Sequence, residues 1–150
     1  MADNTHMHQA LTLARQAVAA GEVPVGAVLV DSRTGAVVAE AHNQVEARGD
    51  ATAHAELLAI QQAGVETEDK LLSHCDLYVT LEPCAMCAGA IAHARIRRVI
   101  FGAYDPKSGG VEHGPKVFDH ATTHHKPEVI GGVEEGACSQ ILAEFFEKLR

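Results

Sequence analysis

His54 and Glu56 stand two residues apart in Thr52-Ala53-His54-Ala55-Glu56, and Cys84 and Cys87 follow in Pro83-Cys84-Ala85-Met86-Cys87. An imidazole and two thiols are ligands that suit zinc, and three of them leave a tetrahedral ion one position for water. A structural site would take all four ligands from protein. No fourth donor is evident, because Cys75 and Cys138 stand alone without a second C-x-x-C. The set therefore reads as a catalytic Zn2+ site on His54, Cys84 and Cys87. A water on such an ion has its pKa lowered to about 7, and the hydroxide can attack an electron-poor ring carbon bearing an amino group. Glu56 beside that water would take its proton and deliver it to the ring nitrogen and the leaving amine. Such work asks for a carboxyl pKa raised toward neutrality, which partial burial supplies. A redox C-x-x-C pair would leave His54 and Glu56 unexplained.

Local structure must bring these residues together. Ala51–Ala63 is rich in helix formers and carries Leu57, Leu58 and Ile60, which places His54 and Glu56 in the first turn of a helix. Pro83 precedes a second helical stretch, Cys84–Arg95, and proline suits a helix start. Both cysteines then lie at a helix N-terminus, whose partial positive charge favours thiolate, the form that binds zinc.

Around these helices the chain reads as alternating elements. Residues 5–20 form an opening helix ended by Gly21. Val23–Val30 and Ala36–Ala41 are strands joined through Asp31–Gly35, a hairpin. His42–Asp50 is a polar loop. Leu77–Leu81 is a buried strand that delivers Pro83, Arg98–Gly102 is another, and Pro127–Ile130 is a weaker one. Val133–Leu149 is a closing helix with Ile141, Leu142, Phe145, Phe146 and Leu149 as its apolar stripe. Strands alternating with helices predict an α/β sandwich with part of the sheet parallel, its site where strands end on one side. Residues 103–126 are irregular and hold His113, His120, His124 and His125. These read as solvated loop histidines rather than a second metal site, and the loop as a possible lid.

A chain of 150 residues with 47% hydrophobic content suits one folded domain, residues 1–150. No apolar run is long enough to span a bilayer, and the start MADNTHMHQALTLARQ lacks the pattern of a signal peptide. A cytoplasmic protein without membrane contact is expected, with reduced cysteines available to metal. The net charge of −8 sits awkwardly with nucleic-acid binding. The best basic cluster, His93–Arg98, reads at least as well as cations complementing a helix C-terminus.

H-x-E followed by P-C-x-x-C is the signature of zinc-dependent base deaminases. With EVPVGAVLV at 22–30, Asn43, ATAHAE at 51–56, LYVTLEPCAMCAGA at 77–90, Arg95-Ile96 and FGAYDPKSG at 101–109, the chain resembles the cytidine/deoxycytidylate deaminase superfamily. Within it, the likeness is to the tRNA-specific adenosine deaminase branch. The resemblance implies a three-layer α/β/α sandwich around a mixed five-stranded sheet, usually a homodimer. It implies zinc on His54, Cys84 and Cys87, with Glu56 as proton shuttle. It places Asn43 on the substrate, and Val25 and Asp105 near the bound nucleotide. Taken alone, Asn43 is equally a loop amide explained by turn chemistry. Glu82 reads as structural, near the thiolates. The chain departs from the branch at Gln44-Val45 and Ala51, where prolines are common, in the sequence after Asp105, and in ending without a basic tail.

The leading expectation is a hydrolytic deaminase of a nucleobase exocyclic amine, with adenosine in tRNA converted to inosine. The alternative in the same chemistry is a free base or nucleoside of guanine, adenine or cytosine type, which the acidic balance favours. A third reading is a non-catalytic, zinc-containing RNA-binding module, which would need a fourth ligand from Cys75 or Cys138.

Overall fold

The computed structural model describes residues 4–149. Met1–Asp3, the first residues of the segment read above for a targeting signal, lie outside the described residues, as does Arg150. In chain order the elements are α1 (Thr5–Ala19), β1 (Gly26–Asp31), β2 (Val37–His42), α2 (Val45–Arg48), α3 (Ala55–Thr67), β3 (Cys75–Leu81), α4 (Ala85–His93), β4 (Arg98–Ala103), β5 (Glu128–Ile130) and α5 (Glu135–Lys148). A single 3₁₀ turn, Val117–Asp119, interrupts the irregular region.

The strands form one five-stranded sheet in the order β2-β1-β3-β4-β5. β1 runs antiparallel to both β2 and β3, while β3, β4 and β5 are parallel. It follows that β2 and β3 point the same way and end at the same sheet edge. That shared edge brings the chain after His42 next to the chain after Leu81, and so joins the two halves of the metal motif.

Side chains alternate across the strands and bury against two helical layers. Ala27 and Leu29 of β1 share a core with Ala59 of α3 and Ile91 of α4. Val28 and Val30 share the opposite core with Leu11 of α1 and Cys138 of α5. This is the expected mixed α/β/α sandwich. Among the described residues, no helix is long and apolar enough to cross a membrane.

Several element boundaries differ from the sequence reading. β1 starts at Gly26, not Val23, because Val25 donates its N–H back to the Val23 carbonyl and Pro24 has no N–H for a ladder. The loop 42–50 contains α2, closed by Gly49 in the left-handed region (φ 56°). α3 begins at Ala55, one residue after His54, and runs on to Thr67. α4 ends at His93 because Arg95 turns left-handed, with φ 62°. The basic cluster His93–Arg98 is consumed locally. The Arg95 guanidinium donates to the Ala92 carbonyl at 3.4 Å, Arg97 pairs with Asp76 at 2.7 Å, and Arg98 pairs with Glu128 at 2.9 Å.

Candidate active site

His54 is the N-cap residue of α3 and Cys84 the N-cap residue of α4, both with extended backbone. Pro83 thus lies just before the cap rather than inside the first turn. Cys87 sits in the first turn of α4 and is buried. His54 Nδ1 lies 3.6 Å from Cys84 Sγ and 3.6 Å from Cys87 Sγ, and the three ligand atoms all lie within 4.8 Å of one another. Zinc–sulfur and zinc–nitrogen bonds of about 2.3 and 2.0 Å at tetrahedral angles put S and N about 3.5 Å apart. The three donors therefore fit a tetrahedral ion as they stand. Neither lone cysteine joins them: Cys75 opens β3 at the far end from Cys84, and Cys138 is buried in the opposite core.

Ionisation agrees with that use. Hydrogen bonding from Cys87 holds the Cys84 thiol down at about 4, and the same contact pushes Cys87 far above its ordinary value. A bound dication would favour the thiolate form of both. Glu56 lies in the first turn of α3 and is 4% exposed. Burial, with the Cys84 charge adding to it, lifts its carboxyl to about 7.

A cavity of about 450 Å³ opens over these groups, a size suited to a small ligand. His54, Glu56 and Cys84 lie in its wall with Val25, Asn43 and Asp105, while Cys87 is buried beside His54 just behind it. Asn43 is 8% exposed and plays a structural part as well. Its amide oxygen accepts the Ala55 N–H at 2.8 Å, tying it to the start of α3. Asp105 Oδ1 accepts the N–H groups of Lys107 and Ser108, which folds its own loop.

Sequence reasoning missed Glu22, Ser108, Phe145, Phe146 and Leu149 as cavity wall. Glu22 is buried behind the wall, with its carboxylate accepting the N–H groups of Glu46 and Ala47 at the start of α2. Phe145, Phe146 and Leu149 belong to the apolar stripe expected of the closing helix, which would bury them in the fold. Instead the end of α5 overhangs the site, with Phe146 45% and Leu149 68% exposed. Adjacent residues on a helix lie about 100° apart, so Phe145-Phe146 already signalled a second apolar surface. The loop histidines differ from the solvated reading in part. His113 is held by Glu82 at 2.8 Å and His125 by the Ile96 carbonyl at 2.7 Å, while His120 is exposed and reaches the Pro115 carbonyl. Glu82 itself is buried, and burial would raise its pKa. Hydrogen bonds from the Asp105 N–H, His113 and the N–H groups of Glu112 and Val111 outweigh that and hold it below its ordinary value.

The family comparison agrees with this geometry. The MafB19-like deaminase family matches residues 1–150. A tRNA-specific adenosine deaminase of Agrobacterium fabrum (strain C58) is 48% identical, spanning 100% of this chain and 98% of that protein. The chain belongs to this deaminase family, in the tRNA-specific adenosine deaminase branch. A solved structure from work on A-to-I editing by tRNA:A34 deaminases is similar to this deaminase with a TM-score of 0.90 and 46% identity, covering 93% of this chain and 100% of that one. A guanine deaminase from Bacillus subtilis is 42% identical with a TM-score of 0.64, but covers 69% of this chain and 66% of that one. The deaminase thus has the cytidine deaminase-like fold that the resemblance implied.

Proposed function

We propose that this deaminase converts adenosine to inosine within tRNA, using zinc on His54, Cys84 and Cys87 and Glu56 as the proton carrier. The observation that carries the reading is the buried Glu56 carboxyl beside three donors spaced for a tetrahedral ion, at one cavity. When bound, zinc supplies the Lewis acidity that makes water nucleophilic at neutral pH. With zinc held by His54, Cys84 and Cys87, Glu56 would take a proton from the water that adds to C6 and pass it to N1; it would then carry the proton of the new C6 hydroxyl to the departing amine, so that adenosine and water become inosine and ammonia. Asn43 Nδ2 donates to an acceptor on the nucleotide, and Val25 and Asp105 border it. Similarity to a tRNA-specific adenosine deaminase at 48% identity over the whole chain supports tRNA over a free base, since guanine deaminases match either at 42% identity over 69% of the chain or at 25% identity over 96% of it. The resemblance implies a homodimer, and cysteines kept reduced for metal suit the cytoplasm.

Glu56→Ala should retain one zinc per chain yet lose activity by roughly a hundredfold or more, the scale of a general acid–base group. The zinc-loaded protein should release ammonia and form inosine in an anticodon stem-loop carrying adenosine, and leave free adenine, guanine and cytosine unchanged. Turnover of a free base alone would overturn the tRNA reading. Undiminished activity in Glu56→Ala would overturn the proton path.

A further inference from the structure

Glu82 belongs neither to the donor set nor to the proton path, yet its side chain is fully buried and ringed by donors. Oε1 accepts the Asp105 N–H at 3.0 Å and His113 Nδ1 at 2.8 Å. Oε2 accepts the N–H groups of Val111, Glu112 and His113 at 3.2, 3.0 and 3.2 Å. One carboxylate therefore gathers both ends of the segment 105–113. The middle of the segment is pinned independently. Gly110 donates to the Pro83 carbonyl at 2.8 Å, and Gly109 bridges to Cys84. A Cβ on Gly109 would collide with the Glu82 carboxylate, and one on Gly110 would lie 2.6 Å from the Ala85 nitrogen. Nothing larger than glycine fits where the loop crosses the cysteine-bearing helix start.

The His113 ring is itself set from the sheet. It lies edge-on to Tyr104, with centroids 6.2 Å apart, and Tyr104 lies edge-on to Phe101 of β4 at 5.1 Å. A mobile lid would leave its backbone N–H groups to water. Here they are spent on a buried anion beside the catalytic helix, while Asp105 and Ser108 face the cavity.

We propose that Glu82, with His113 as its side-chain partner, is a positioning residue that holds the segment 105–113 as a preformed wall of the substrate cavity rather than a lid. A wall ordered before binding spares the substrate the cost of ordering it, so the effect falls on KM more than on kcat. The kinetic arm of the test rests on the deaminase reading above; the exchange arm does not.

The test compares His113→Ala, His113→Gln and Glu82→Gln with the zinc-loaded wild type. Three quantities are read: amide hydrogen exchange over 105–113, zinc per chain, and kinetics on the stem-loop. In His113→Ala, exchange over 105–113 and KM should each rise roughly tenfold, the scale of one hydrogen bond to a charged group, with zinc content and kcat held. His113→Gln restores an N–H donor and should recover most of both. Glu82→Gln places an amide NH₂ among donors and should loosen the segment further. Unchanged exchange in His113→Ala, or kcat or zinc falling in it with KM constant, would overturn the proposal. If Glu82→Gln does not fold, the His113 pair decides alone. If wild type does not turn over the stem-loop, the functional reading fails and the exchange result still decides this one.

Discussion

Glu56 is a carboxyl held where ionisation is unfavourable, and that placement is a stability liability without metal. Its pKa is raised in the fold from 4.5 to about 7. A carboxyl raised in this sense favours the folded state fully below its unfolded value, and that contribution is lost as pH rises through the folded one. In metal-free protein, Glu56→Gln should therefore be the more stable form above neutrality, by on the order of 3 kcal/mol at pH 8. The difference should shrink toward pH 5. Urea denaturation of the chelated proteins across that range measures it, and a pH-independent difference would refute the burial argument. The spacing of His54 and Glu56 was legible in the sequence. The depth of Glu56 was not, because it comes from neighbours on other elements.

α2 shows how a weak element is made to serve the site. Four residues cannot sustain a helix alone. This one survives because the buried Glu22 carboxylate accepts the N–H groups of Glu46 and Ala47, an anion at a helix start. Asn43 lies two residues before α2 and is fastened to α3 through Ala55, so α2 and α3 flank it. Glu22→Ala would leave two N–H groups without an acceptor and should destabilise the protein by about 1–3 kcal/mol. It should also raise KM on the stem-loop while zinc stays bound. Thermal unfolding with kinetics checks both, and an unaltered KM would mean that α2 does not position Asn43. The loop reading of 42–50 failed for the same reason: the support for α2 lies more than twenty residues upstream of it.

An acidic molecule can bind a polyanion only through local cations. Against a net charge of −8, Arg97, Arg98, Arg33 and Lys126 are already paired with carboxylates. Lys107 is one of the cations left without such a pair. It is exposed, lies between the cavity residues Asp105 and Ser108, and makes no ion pair among the described residues. If the nucleic acid enters over this wall, Lys107→Ala should weaken stem-loop binding across sequences. It should also reduce the slope of log affinity against log salt by about one. Fluorescence titration at several salt concentrations gives that slope. An unchanged slope would direct the phosphate path elsewhere, toward the end of α5.

The sequence alone carries the three donors, the neighbouring Glu56 carboxyl and the family, because ligand type and spacing are properties of short segments. It also determined the alternation of strands and helices, since hydrophobic periodicity is local. Tertiary structure alone decided what encloses the site. The parallel sense of β2 and β3 brings His54 to Cys84 across thirty residues of chain. The overhang of α5 puts Phe145, Phe146 and Leu149 at the cavity. Segment 105–113 becomes a wall only because the Glu82 carboxylate is buried beneath it. These are contacts between residues far apart in the chain, and no local pattern encodes which distant partner will fill a given space.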